Sequence, residues 1–337
     1  MATSWKKWAR VLATVAGIGA FGSAAAADAQ YVFKFSGTFP PVGIQAEGAK
    51  RLGELIAEHT DGRIRMEVYP SAQLGDKIPT LEGMRAGTIE LTECAATDLS
   101  NYSPLWSAFS LPYLFDSDTQ AIKVLTDPDV RAITDADAAE NGFVIISWWN
   151  FGKRSILNSK RPVHNPAELR GLRIRVMQDP ILAGAISAMG AAGTPMAWSE
   201  VYTALQQGTI DGLENSTPVI ASNKMQEVAK YLSLTEQFII PDPVLLSKVV
   251  FDKLPPDLQQ KVREAGAAAE AEWNEMIWPG AETRELEALK AAGVKVNEAD
   301  KAAFKKSVQP VVDKFLASAD DRTKALYEAI QKVKTKY

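Results

Sequence analysis

Apolar and polar residues alternate from Tyr31 to Ser36, with Tyr31, Phe33 and Phe35 on one side and Val32 and Lys34 on the other, so the segment predicts a strand. Pro40-Pro41 break the pattern. Between Ile44 and His59, Ala49, Leu52, Leu55 and Ile56 recur at helical spacing, and Thr60-Asp61-Gly62 closes that helix. Alternation returns from Arg63 to Tyr69 with Ile64, Met66 and Val68 on one face. Leu81–Ala86 reads as helix and Ile89–Cys94 as a buried strand. Strand, helix, strand, helix, strand implies a parallel sheet with helices on its faces.

Further along, Phe143–Ser147 and Ile156–Asn158 read as buried strands, and Leu172–Val176 alternates cleanly. Helices are expected at Pro180–Met189 and at Ser199–Gln207, the latter with Ser199 as its N-cap. Pro255-Pro256 open a long helix running to about Trp278, with Leu258, Val262, Ala265, Ala269 and Trp273 near one face. Pro279-Gly280 interrupts it, and helices follow at Glu282–Ala292, Lys301–Ala317 and Lys324–Val333. No repeat, low-complexity tract or flexible linker separates these segments. Two α/β lobes packed without a floppy linker imply a cleft between them, where small ligands commonly bind.

The first thirty residues follow a different logic. Lys6, Lys7 and Arg10 precede an apolar run from Val11 to Gly22, and Ala27-Asp28-Ala29 offers a small-x-small cleavage site, with Ala24-Ala25-Ala26 as a second option. That order describes a secretory signal peptide, residues 1–29. The run is short for a transmembrane helix. Gly17-Ile18-Gly19-Ala20-Phe21-Gly22 matches the dinucleotide pattern G-x-G-x-x-G, but that pattern means something only between a strand and a helix. A chain exported this way works outside the inner membrane, in the periplasm.

Charge narrows the chemistry. Lys and Arg total 37 against 41 Asp and Glu, and loss of residues 1–29 leaves 34 against 40, a net −6. Such a chain is poorly suited to nucleic acid, so any anion site must be local. The lone Cys94 forms no intrachain disulfide and reads as a buried thiol, while His59 and His164 lack metal-ligand spacing. No metal and no cofactor are expected, and with no G-x-S-x-G elbow, H-E-x-x-H motif or P-loop nothing in the sequence points to an enzyme.

Gly171-Leu172-Arg173-Ile174-Arg175-Val176 is the most informative short segment. Alternation puts both arginines on one face, and Arg175 falls near the carboxyl end of its strand, where ligands of open α/β sheets sit. A guanidinium fork can grip a carboxylate there, or simply be solvated. Together with Thr194–Gly208 (Thr-Pro-Met-Ala-Trp-Ser-Glu-Val-Tyr-Thr-Ala-Leu-Gln-Gln-Gly) and Ile210-Asp211-Gly212-Leu213-Glu214-Asn215, this segment resembles the DctP family, the binding proteins of tripartite ATP-independent periplasmic (TRAP) transporters. Thr60-Asp61-Gly62-Arg63, Tyr69–Gly75 and Leu111-Pro112-Tyr113-Leu114 agree, and the likeness runs from about Phe33 to beyond Leu258.

The resemblance implies a two-lobed α/β periplasmic-binding-protein clamshell with the ligand cleft between its lobes and long C-terminal helices. Residues 30–151 plus 241–280 would form lobe I, and 152–240 plus 281–337 lobe II. It also implies a small organic acid as ligand, small and large integral membrane subunits as partners, and no enzymatic activity. By motif, Arg175 resembles the arginine that grips the carboxylate, Arg154 the second cationic contact and Asn215 the ligand-binding asparagine. Trp198 occupies an aromatic cleft position, with core packing as the alternative, and Asn215 could instead be a turn residue. Ala95-Ala96 stand where sialic-acid binders carry an acid, which argues against that ligand. Trp148-Trp149-Asn150 departs from the commoner Trp-Glu-Asn-like stretch, making Trp149 and Asn150 specificity candidates balanced against packing. Thr38, Phe39 and Gln237 complete the candidate set. Three other readings stay open at this point: the receptor of an ATP-driven importer, a secreted hydrolase with a carboxylate pair, and a binding protein serving as the sensor domain of a signalling system.

Overall fold

The computed structural model describes residues 29–337, so the segment expected to be a signal peptide lies, save for Ala29, outside the described residues. The strands are β1 (Tyr31–Ser36), β2 (Ile64–Tyr69), β3 (Leu91–Glu93), β4 (Phe143–Trp149), β5 (Lys153–Asn158), β6 (Arg173–Val176), β7 (Ala192–Pro195), β8 (Gly212–Asn215), β9 (Tyr231–Ile239), β10 (Asp242–Ser247) and β11 (Lys295–Glu298). The helices are α1 (Ile44–His59), α2 (Lys77–Ala86), α3 (Asp118–Thr126), α4 (Pro128–Glu140), α5 (Pro180–Ala188), α6 (Trp198–Gln206), α7 (Thr217–Ser222), α8 (Lys248–Phe251), α9 (Pro256–Glu272), α10 (Ala281–Ala291), α11 (Lys301–Ser318) and α12 (Asp321–Lys334).

Two sheets result. The first has the order β2-β1-β3-β10-β4, the second β11-β9-β5-β8-β6-β7. The expected alternation in β1 is realised by parallel pairing with β2, Phe33 opposite Met66 and Phe35 opposite Val68, and it buries Phe33 and Phe35. Leu91 in β3 extends the same parallel set, while β10 runs antiparallel between β3 and β4. In the second sheet β8, β6 and β7 are parallel, and β5 runs antiparallel to β8 and β9.

Helices cover both faces of the first sheet. α1 buries Leu52, Leu55 and Ile56 in one core with Leu258, Val262 and Ala265 of α9. α9 presses so closely on β4 that a Cβ at Gly266 would lie 2.2 Å from the Ile146 carbonyl oxygen. The opposite face packs Trp106, Phe109 and Trp148 with Leu326, Ile330 and Val333 of α12. The tail that the sequence suggests for lobe II therefore divides. α11 buries Phe304 and Val308 with the second sheet but turns Phe315 into the first core, which α12 then joins.

The chain crosses between sheets at Asn150–Gly152, at Ile240–Pro241 and through the segment following α9. That long helix does not run unbroken to Trp278. It ends at Glu272, and Trp273–Ile277 takes a wider π turn. The widening seats Trp273 flat against Trp149, ring centroids 4.5 Å apart and planes 11° from parallel. Gly152 holds φ at 75°, a left-handed conformation suited to glycine, with the Glu282 carboxylate where a Cβ would stand.

Candidate functional site

A cavity open to solvent lies between the two sheets. Its first wall carries Thr38, Phe39, Gln45, Asp76, Lys77, Glu93, Ala95, Asp98 and Asp242, and its second Arg154, Arg175, Met177, Gln178, Met196, Ala197, Trp198, Asn215 and Val219, with Phe151 at the crossover. Thr38 and Phe39 follow β1, Glu93 ends β3, and Met177 and Asn215 stand at or just past the ends of β6 and β8. The cavity thus sits at strand carboxyl ends, the usual ligand position in open α/β sheets.

The two β6 arginines share a face of the strand but differ in depth, Arg175 lying nearer its carboxyl end. Arg173 is half-exposed and paired with Asp211 at 3.0 Å through both Nε and Nη2. Arg175 is 3% exposed. Its Nε and Nη2 donate to the Met196 carbonyl oxygen at 2.9 and 2.7 Å, and its guanidinium lies 5.3 Å from the Trp198 ring centroid. Among the described residues it makes no ion pair with an acid. Burial lowers its pKa to about 10, Glu214 opposing the shift and Arg154 adding to it. The site therefore holds a desolvated cation fixed in orientation by a carbonyl and an indole, with N–H groups to spare.

Arg154 is different. Its Nε donates to Glu214 Oε2 at 2.6 Å and its Nη2 to Oε1 at 2.9 Å, both side chains buried. Burial alone would lower the Arg154 pKa, and Glu214 more than offsets it. Asn215 ends β8, lines the cavity, and accepts the Ser216 N–H on its Oδ1 at 2.8 Å. Trp198 is half-buried, lines the cavity and donates to Asn223 Oδ1 at 3.3 Å. Thr38 is half-buried and Phe39 buried at the first wall.

Three sequence candidates lie away from this cavity. Trp149 is fully buried in the first-sheet core against Trp273. Asn150 ties the crossover, its Oδ1 accepting the Gly152 N–H at 2.9 Å and its carbonyl accepting Trp273 Nε1 at 2.8 Å. Gln237 is fully buried in β9, where its carbonyl accepts the Tyr113 N–H at 2.9 Å.

Sequence reasoning missed the acids of the first wall. Lys77 Nζ bonds Glu93 Oε2 at 2.8 Å and also the Glu93 carbonyl. Burial pushes Glu93 above the ordinary carboxylate range despite that lysine, and Asp98 up to about 6. Asp242 is held well above its usual value by burial, with Glu93 adding to the shift. A signal existed, since charges at Glu93 and Asp242 interrupt otherwise apolar strands. Asp76 was missed as well. Its Oδ1 accepts the Lys77 N–H at 2.7 Å, capping α2, and its Oδ2 accepts the Ser199 N–H at 2.8 Å across the cleft. The N-cap of α6 is Ala197, not the expected Ser199, and it has no side-chain oxygen to offer. The carboxylate from the other wall satisfies the first turn instead.

Residues 35–319 match the profile described as bacterial extracellular solute-binding protein, family 7 (DctP). A solved TRAP periplasmic solute-binding protein from Chromohalobacter salexigens with bound D-glucuronate is 31% identical, with a TM-score of 0.85 over 89% of this chain and 99% of that chain. The 2,3-diketo-L-gulonate-binding periplasmic protein YiaO of Escherichia coli is 32% identical over 86% of this chain and 88% of its own length. The C4-dicarboxylate-binding periplasmic protein DctP of Rhodobacter capsulatus is 28% identical over 88% of this chain and 90% of its own length.

Proposed function

The chain belongs to the DctP family of bacterial extracellular solute-binding proteins, which are not enzymes, and we propose that it captures a small carboxylate in the periplasm and hands it to the membrane subunits of a TRAP transporter. Residues 1–29 serve as its export signal. The partners are a small and a large integral membrane protein. Among the described residues no helix is long and apolar enough to cross a membrane itself. Receptor of an ATP-driven importer and secreted hydrolase give way to this family's chemistry.

One observation carries the ligand class: a buried guanidinium, Arg175, facing an interlobe cavity with no acidic partner among the described residues. A buried cation is normally paired, and a ligand carboxylate supplies the missing anion by a charge-assisted fork. The relatives named above bind, by their descriptions, D-glucuronate, 2,3-diketo-L-gulonate and C4-dicarboxylates, which are all carboxylates. Asn215 and the indole of Trp198 flank the same spot and orient the bound group. Arg154 acts beside them mainly by holding Glu214 in place. Capture then follows a clamshell course. The anion meets Arg175 in an open cleft, and closure around it expels water and strengthens the contact.

A thermal-shift panel of organic acids identifies a ligand, since one that binds only the folded chain raises its melting temperature. Calorimetry on Arg175→Ala with that acid tests the assignment. Leaving a bound carboxylate unpaired costs about 3–5 kcal/mol, so Kd rises by roughly 100- to 3,000-fold. The ligand-free variant loses two hydrogen bonds to the Met196 carbonyl but also a desolvated charge, so its melting temperature should stay within a few degrees of wild type. An affinity within tenfold of wild type would overturn the role of Arg175.

A further inference from the structure

Resting on that carboxylate-receptor reading, we infer that the first wall selects the ligand by its hydroxyl groups: Glu93, Asp98 and Asp242 accept hydrogen bonds from a polyhydroxylated acid whose single carboxylate sits on Arg175, and they reject a second carboxylate.

The register of the first sheet places the acceptors. Val244 of β10 stands opposite Glu93 of β3, so Asp242, two residues before Val244, projects from the same face as Glu93. Both side chains line the cavity. Glu93 is 1% exposed, and its Oε1 has no hydrogen-bond partner while Lys77 occupies Oε2. Asp242 is 9% exposed, and among the described residues no donor reaches its carboxyl group. Asp98 lends one oxygen to the Ala95 N–H at 3.1 Å. Buried acceptors are nearly always satisfied in folded proteins. Here the donors missing from the protein are those a sugar acid carries in abundance.

The charge balance gives the second half of the inference. Lys77 is committed to Glu93 and Arg154 to Glu214, so among the described residues Arg175 alone of the cations lining the cavity lacks an acid. One such cation matches one ligand anion. A dicarboxylate would bring its second charge against Glu93, Asp98 and Asp242, where the wall offers it no free cation and low polarity makes a further negative charge costly. Burial is the first cause of the upward shifts at Asp98 and Asp242, with Glu93 adding to each, so this wall disfavours any further negative charge. Hydroxyls meet no such penalty, because a carboxyl group accepts hydrogen bonds whether ionised or neutral.

Calorimetry at pH 7 on the wild-type chain compares D-glucuronate, D-galacturonate and D-erythronate with succinate and malate, and then the best hydroxylated acid with its single-deoxy analogues. The best hydroxylated monocarboxylate should bind about 100-fold more tightly than succinate, and at least one deoxy analogue should bind about tenfold more weakly than its parent. Glu93→Gln and Asp242→Asn, each checked for a native melting transition, should weaken the hydroxylated acid about tenfold and narrow its lead over succinate. Succinate or malate within tenfold of the best hydroxylated acid, or deoxy analogues that all bind like their parents, would overturn the inference while leaving the carboxylate reading intact. If Arg175→Ala binds every acid as well as wild type does, the carboxylate reading fails and takes the hydroxyl inference with it. The deoxy series needs no variant, so the outcome does not depend on a mutant folding.

Discussion

Arg154 and Arg175 face the same cavity yet answer to different physics, and the difference predicts how each fails. Arg175 is a buried charge with no acid partner among the described residues, so on the proposed role its removal should weaken capture. Arg154 is half of a bidentate pair with Glu214, buried on both sides. Removing only Arg154 strands a carboxylate in the protein interior, which costs about 3–5 kcal/mol, whereas replacing both partners with apolar residues of similar volume is often neutral. Arg154→Met should therefore melt well below wild type, and Arg154→Met with Glu214→Leu should recover most of the loss. Denaturant titration of the wild type, both single variants and the double variant checks this. If the single variant were as stable as wild type, Arg154 would be free to serve the ligand alone.

At the level of elements, the crossing segment beside Gly152 carries its own titration. Glu282, in the first turn of α10, accepts the Lys153 N–H at 2.8 Å, and burial followed by the neighbouring Asp118 raises its pKa to about 8. An unfolded glutamate gives up its proton near its ordinary value of about 4.5. The folded chain thus holds one more proton between those values, and the stability this contributes is full below pH 4.5 and lost as pH climbs to about 8. Wild type should melt progressively lower from about pH 5 to about pH 8.5. Glu282→Gln, which keeps the acceptor for Lys153, should show a flatter profile, checked by thermal melts across that range. Most elements were legible from periodicity alone, because half-buried strands and one-sided helices write their period into the sequence: β1, α1, β2, α5, α11 and α12 lie where alternation or helical spacing puts them. The less legible elements lack such contrast. β10 is buried throughout, so it shows no alternation, and β9 is mostly buried, with polar Ser233, Thr235 and Gln237 inside, so its pattern does not mark it as a strand. α4 is rich in Asp and Ala with a weak apolar face, and it earns its place by tertiary packing of Val130 and Ala138. The site divided in the same way. Arg175, Arg154 and Asn215 sit in motifs, whereas Glu93, Asp98 and Asp242 come together only when β3 and β10 pair, a contact between residues about 150 positions apart that no local pattern records. Trp149 falls among the core aromatics because Trp148 and Trp149 point to opposite, equally packed faces of β4.

For the molecule as one body, the proposed clamshell capture requires the walls to close on the ligand and open again, and Asp76 would link that motion to helix capping. One carboxylate satisfies the first turn of α2 on its own wall and the first turn of α6 on the other. Burial would raise its pKa, but the backbone donors at Ser199 and Lys77 hold it below the ordinary value, so it stays ionised and accepts both bonds at neutral pH. α6 starts at Ala197 without a cap of its own, so this bond is available to it only when the walls meet. Closure is then favoured by a charge-assisted hydrogen bond of about 1.5–3 kcal/mol that lies outside the ligand itself. Asp76→Ser separates the two roles, because serine caps α2 well but is too short to reach Ser199. The variant should keep its ligand-free melting temperature to within a few degrees. It should also release ligand roughly 10- to 100-fold faster, because affinity losses of this kind fall mainly on dissociation. Stopped-flow displacement gives the rate, and small-angle scattering of the ligand-bound variant should show a more open average. An unchanged dissociation rate would mean that closure depends on the ligand and the crossing segments alone, with Asp76 no more than the cap of α2.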